Sequence, residues 1–116
     1  GYGNEELLFT AFRNIVVNAC KYSSDHHAVV SLTLTGKAFV IEVSDRGIGM
    51  ADAEMKKIFQ PFYRIQESRS VPGFGLGLSL ANRIIRLHKG TVNVTSEKGI
   101  GTTFTVALPV ARPVTD

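Results

Sequence analysis

Asn14, Asn18, Lys21, Tyr22 and Asp45, together with glycines 73, 75 and 77, are the residues of this chain whose types and spacing could handle a charged ligand. Asn14, Asn18 and Tyr22 recur at every fourth position, and Lys21 falls within about 20° of Asn14 on a helical wheel. Asparagine is a poor helix-interior residue, so the stripe is either a solvated helix side or has a use. An amide oxygen is a hard donor of the kind Mg²⁺ takes alongside phosphate oxygens, and Lys21 would then meet a phosphate.

Asp45 stands in Ser44-Asp45-Arg46-Gly47-Ile48-Gly49. An Asp-x-Gly sequence is ordinary turn chemistry, in which the carboxylate bonds its own backbone. It can equally accept the exocyclic amine of an adenine, with Gly47 and Gly49 leaving space for the base. The third feature is Gly73-Phe74-Gly75-Leu76-Gly77-Leu78, three alternating glycines that open into a helical pattern. Each glycine there costs up to about 1 kcal/mol relative to alanine, and an anion held by backbone N–H groups at a helix start would justify it. The spacing is neither G-x-G-x-x-G nor a P-loop, so a Rossmann domain and a P-loop NTPase are both disfavoured.

These residues need elements to hold them. From about Asn4 to Tyr22 the helical period puts Leu8, Phe12, Ile15 and Ala19 on one face, with Asn4 as a candidate cap. The period then changes to two. Val30, Leu32 and Leu34 alternate with polar residues, Gly36-Lys37 turns, and Phe39, Ile41 and Val43 follow, which predicts a hairpin with one face buried. A short helix is expected over 52–58, then Phe59-Gln60-Pro61-Phe62-Tyr63-Arg64, then a polar, aperiodic loop over 65–73. A second long helix is expected over 75–89, with Leu76, Leu80, Ile84 and Leu87 on one stripe and Gly90 in the C′ position. Strands over 91–96 and 102–108 flank a glycine turn. Helix, hairpin, helix, loop, helix, hairpin is an α+β order: a two-layer sandwich, its sheet mixed but mostly antiparallel, with about three helices on one face. Residues 1–110 make the domain and 111–116 a tail.

With 116 residues, 44% of them hydrophobic, the chain fits one core. That apolar fraction and a net charge of +3 exclude a disordered chain. No stretch approaches a membrane span, and GYGNEELL lacks the regions of a secretory signal. A single cysteine, Cys20, rules out an internal disulfide framework and suits a reducing, cytoplasmic compartment. The pI of about 9.3 comes from scattered Lys and Arg, which makes no case for a nucleic-acid groove or a membrane contact.

Taken together and in order, the motifs resemble the GHKL ATPases of the Bergerat fold, which include sensor histidine kinases, gyrase and a heat-shock chaperone. Residues 14–23 look like the kinase N box, 45–50 like the G1 box, 59–64 like the F box and 73–78 like the G2 box, with 99–104 similar to the trailing glycine motif. The resemblance implies ATP and Mg²⁺ as ligands. It implies that Asn18 ligates Mg²⁺, that Asn14 supports metal and phosphates, that Lys21 binds phosphate, and that Tyr22 packs near the nucleotide. Asp45 would receive the adenine amine beside Gly47 and Gly49, with Thr103 also beside the base. Phe59 and Phe62 would anchor a lid over 65–73, Arg64 would reach the γ-phosphate, and Gly73, Gly75, Leu76, Gly77 and Leu78 would frame the phosphates. Arg46 departs from the pattern, where asparagine or threonine is commoner.

Position 14 discriminates within the family. Relatives that activate water or a serine hydroxyl generally carry a glutamate there, because that nucleophile must lose a proton. Asparagine cannot take one, and an imidazole acceptor needs no such base. Asn14 therefore favours a sensor histidine kinase over an ATPase or an anti-sigma serine kinase; the rival from another class is a regulatory module that binds nucleotide without transfer. His26, His27 and His88 lack the flanking pattern of a phosphoacceptor helix. The implied partners are thus a dimerisation and phosphoacceptor domain outside these residues and a response regulator, and the implied whole is a membrane-anchored sensor.

Overall fold

In the computed structural model, which describes residues 5–23, 25, 27–60 and 77–109 but not the side chain of Tyr22, the chain opens with α1, Glu5–Tyr22. Glu5 and Glu6 in its first turn and Lys21 in its last complement the helix dipole. Ala11, Ile15 and Ala19, four residues apart, are buried to within 1% of completely, and Leu8 and Phe12 pack at the margin of the same core.

Two hairpins follow, β1 (Val29–Leu34) with β2 (Ala38–Asp45) and β3 (Thr91–Glu97) with β4 (Gly101–Pro109). They join into one sheet of order β1-β2-β4-β3 through the β2–β4 pairing. Every pairing among the described residues is antiparallel, in line with the mostly antiparallel sheet that was expected and without its parallel part. Between the hairpins lie the short α2 (Asp52–Met55) and α3 (Gly77–Leu87). The α2 start is fixed by Glu54, whose carboxylate accepts the Ala51 backbone N–H at 3.0 Å.

The face beneath the helices is built of cross-strand rows. Ile41, Val106 and Val92 form one row, and Val43, Phe104 and Val94 the next. Val43, Phe104 and Val106 are essentially sealed from solvent, and Phe59, after α2, meets the Phe104 ring edge-on with centroids 6.3 Å apart. The opposite face is polar and open, with Thr91, Asn93, Thr95 and Glu97 exposed.

Further expectations change. Of the expected apolar stripe on α3, Ile84 is buried but Leu80 and Leu87 are exposed, and Ala81 and Ile85 take their place in the core. The first hairpin was expected to bury one face, yet every residue of β1 is exposed, Leu32 at 65% and Leu34 at 63%. Val30, Leu32 and Leu34 do align with Val43, Ile41 and Phe39 on the helix side. However, α1 packs on β2 and α3 packs on β3, so among the described residues the helix layer is centred away from β1. Alternation set the faces correctly, while burial depended on how far the helix layer extends.

The end of α3 also differs. Gly90 was expected in the left-handed C′ position, but Lys89 holds it, with φ 64°. The Lys89 N–H bonds Arg86 O at 2.9 Å and the Gly90 N–H bonds Ile85 O at 2.9 Å, the paired bonds of a Schellman motif one residue earlier than expected. Gly90 is small for another reason. A Cβ there would lie 2.7 Å from the Ala107 carbonyl oxygen and from Leu108.

Candidate functional site

Asn14, in the polar stripe of α1, faces the start of α3. Asn14 Nδ2 donates to the Gly77 carbonyl oxygen at 3.3 Å, and a Cβ built on Gly77 would touch only the Asn14 side chain among the described residues, at 3.8 Å. An alanine would therefore fit against that wall, so packing alone does not demand glycine at 77. Asn18 lies half-buried one turn further along α1, and Lys21 is exposed two turns beyond Asn14 on the same side. With the Asn14 amide nitrogen committed to Gly77, its oxygen is left as an acceptor. Leu78, one residue into α3, packs on the core.

The second wall begins where α1 ends. Ser23 is buried and forms an isolated antiparallel bridge to Gly47, which ties the end of the asparagine helix to the turn after Asp45. Its hydroxyl donates to Asp25 at 2.6 Å, and that bond, with the His27 backbone N–H, holds the Asp25 carboxyl below the usual carboxylate range.

Asp45 closes the apolar floor. It pairs with Thr102, which pairs in turn with Ser96, so Asp45, Thr102 and Ser96 form a polar row at the strand ends beyond Val43, Phe104 and Val94. Burial raises the Asp45 carboxyl above its ordinary range, against the opposite pull of hydrogen bonds from the Thr102 and Gly47 backbone. A groove of about 470 Å³ opens around this end of the sheet, lined by Asp45, Arg46, Ser96, Thr102 and Thr103 among others.

Thr103 was expected beside the base, but the alternation of β4 turns it away. Its hydroxyl lies 3.0 Å from that of Ser44 on the open face of the sheet, whereas Thr102 is the buried threonine opposite Asp45. Sequence reading missed Thr102 and Ser96. The two-residue period, counted inward from Phe104, carries the signal for Thr102; Ser96 needs the cross-strand register as well.

Gly49 also has a different reason for its size. With φ 65°, its missing Cβ leaves the space taken by the Glu97 carbonyl group, and the neighbouring Gly99 N–H bonds Ile48 O at 2.7 Å. Gly49 thus seats the turn after β2 against the β3–β4 turn. Of the other expected site residues, Phe62, Arg64, Gly73, Gly75 and Leu76, the lid over 65–73 and the Tyr22 side chain lie outside the described residues.

Charge balance and donor type define what each of these two walls can hold. One side offers amide oxygens and a lysine beside a helix start, which suits phosphates and a hard cation. The other offers a half-buried carboxylate and a hydroxyl, which suits a ligand carrying N–H donors.

Residues 3–112 match the family described as histidine kinase-, DNA gyrase B-, and HSP90-like ATPase. The sensor-like histidine kinase SenX3 of Mycobacterium tuberculosis is 41% identical over 110 residues, covering 92% of this chain and 27% of that protein. The heme sensor protein HssS of Staphylococcus saprophyticus is 42% identical over 105 residues, covering 90% of this chain and 22% of that protein. The chain thus spans about a quarter of the length of these relatives. Among solved structures, the mycobacterial sensor histidine kinase MprB superposes with a TM-score of 0.78 at 28% identity, over 86% of this chain and 70% of that one. The α+β fold and the order of the motifs agree with these matches, and the chain belongs to the histidine kinase-, DNA gyrase B-, and HSP90-like ATPase family.

Proposed function

We propose that this chain is the ATP-binding catalytic domain of a two-component sensor histidine kinase, which transfers the ATP γ-phosphate to a histidine on a separate dimerisation and phosphoacceptor domain. The observation that supports the reading is the Ser23–Gly47 bridge, which ties the end of the helix bearing Asn14, Asn18 and Lys21 to the turn after Asp45, while Asn14 bonds Gly77 at the start of α3. In this reading Asp45 accepts the adenine amine, Thr102 lies beside it, and the α1 and α3 walls bracket the phosphates.

Asn18 is the residue proposed to hold Mg²⁺, with Asn14 in support. The amide oxygens fit that ion, which takes few protein ligands and fills its shell with phosphate oxygens and water. When bound, Mg²⁺ would neutralise phosphate charge. The chain's own residues do the rest: Asn14 holds the α3 start in place, Lys21 offers a cation to the phosphates, and Asp45 fixes the base and with it the reach of the triphosphate. Arg64 is assigned to the γ-phosphate, and Gly73, Gly75, Leu76 and Leu78 to the phosphate end. Asn14 supplies no base for water or a serine hydroxyl, which supports a histidine acceptor.

A response regulator is the proposed downstream partner, and a membrane-anchored protein with this domain in the cytoplasm the proposed whole. No described helix is long and apolar enough to cross a membrane. Calorimetry tests the binding half of the proposal. Asn18→Ala should weaken Mg·ATP far more than metal-free ADP; equal sensitivity of wild type and variant to Mg²⁺ removal would mean that Asn18 is not a ligand.

A further inference from the structure

Ser96 sits at the far end of the polar row and makes three hydrogen-bond contacts with a single hydroxyl. The Met50 backbone N–H can only donate, so at 2.8 Å it occupies a lone pair of Ser96 Oγ. The Gly101 carbonyl oxygen can only accept, so at 3.0 Å it takes the Ser96 proton. With the Ser96 proton on Gly101, the remaining contact, 2.7 Å to Thr102 Oγ1, is filled by the Thr102 proton pointing at Ser96.

We propose that Ser96 is a positioning residue that sets base specificity by holding the Thr102 hydroxyl proton away from the ligand. Thr102 and Asp45 stand directly opposite each other on β4 and β2, so their side chains share one face at neighbour distance. With its proton committed, Thr102 offers only lone pairs there, and the Asp45 carboxylate offers only lone pairs as well. Two acceptors suit an exocyclic amine, which carries two N–H donors, or a water that donates to both. They oppose the carbonyl that hypoxanthine and guanine carry at the same position. A serine free to turn its own proton toward Thr102 would release the threonine to donate, and the discrimination would weaken. This rests on the proposal that Asp45 reads the adenine amine.

The test compares ADP with inosine diphosphate, which replaces the amine at position 6 by a carbonyl. Calorimetry on the wild-type chain should favour ADP. In Ser96→Ala the Thr102 hydroxyl is free to rotate, so inosine diphosphate should bind more tightly than to wild type while ADP binds more weakly. The preference should fall about tenfold, the size of one hydrogen bond. Ser96→Thr, which keeps the hydroxyl, should keep the preference. A merely structural Ser96 would weaken both nucleotides by the same factor, and that result overturns the assignment. If Ser96→Ala does not fold, the shape-conserving Thr102→Val serves. It should lower the preference by a similar factor, and an unchanged preference there also overturns the assignment. Asp45→Ala separates the two layers. An unchanged preference in that variant removes the adenine reading itself. A collapsed preference there, with Ser96→Ala like wild type, removes only the role of Ser96.

Discussion

Asn14 donates its side-chain amide to the carbonyl oxygen of Gly77, and this one bond joins the first and last helices of the domain across 63 positions of sequence. It also orients the amide, because the nitrogen is spent on protein and the oxygen is left as an acceptor. Asn14→Ala should therefore lower the stability of the nucleotide-free domain by only about 0.5–1.5 kcal/mol, the worth of an ordinary hydrogen bond. Its effect on Mg·ATP affinity should be larger. Chemical denaturation and calorimetry on the same variant check this, and a stability loss with unchanged affinity would make the bond purely architectural.

Asp45 should be a cost to the empty fold. Burial raises its carboxyl above the ordinary range, so the folded domain holds that proton more tightly than the unfolded chain does. Stability is then lost as the pH rises from the ordinary carboxyl range through the raised value, and it stays lost at neutral pH. Asp45→Asn should accordingly leave the unfolding midpoint at pH 7 equal to or above that of wild type. Asp45→Ala should cost about 1.5–3 kcal/mol of ADP binding and more than Lys21→Ala, since it strands a charge-assisted donor. Wild-type ADP affinity should begin to fall on acidification at a higher pH than an ordinary carboxylate would give. A lowered midpoint in Asp45→Asn would contradict this account.

The end of α3 offers a sign test. Lys89 sits at φ 64°, where a side chain is disfavoured, so Lys89→Gly should stabilise the domain by about 0.5–1 kcal/mol despite the added freedom of the unfolded chain. Gly90→Ala should destabilise it, because the new Cβ meets the Ala107 carbonyl oxygen. Thermal unfolding of both variants decides it, and shifts of the same sign would refute the cap assignment.

Burial differs as sharply between two apolar positions. Leu32 is 65% exposed on β1 and Ile15 fully buried on α1. Leu32→Lys should change stability by less than about 0.5 kcal/mol, and Ile15→Ala should cost about 2–5 kcal/mol. Comparable losses in urea titrations would mean that β1 is covered after all.

Much of this was legible in the residues. The helix containing Asn14 and Asn18, both hairpins and the core positions Ile15, Ala19, Val43 and Ile84 follow from local periodicity, which depends only on near neighbours. What failed depends on distance in space. The exposure of Leu32 and Leu34 depends on where the helix layer stops. The facing of Thr103 required a strict count along β4 from buried Phe104. The space at Gly49 is taken by Glu97, a residue 48 positions on that no local pattern could bring near. Ser96 joined the polar row only once two strand registers were known.

The central claim is phosphoryl transfer to a histidine on a separate phosphoacceptor domain, and one experiment addresses it. The domain is incubated with labelled Mg·ATP, alone and with the cognate dimerising helix pair supplied separately, and acid-labile phosphate is measured on each chain. Alone, it should neither label itself nor hydrolyse ATP at more than a trickle, since Asn14 gives no base for water and positioning supplies much of the rate. With the helix pair, label should appear on that chain's histidine at low efficiency, and Asn18→Ala or Asp45→Ala should abolish it. Brisk hydrolysis by the domain alone, or nucleotide binding with no transfer to any cognate helix pair, would contradict the claim.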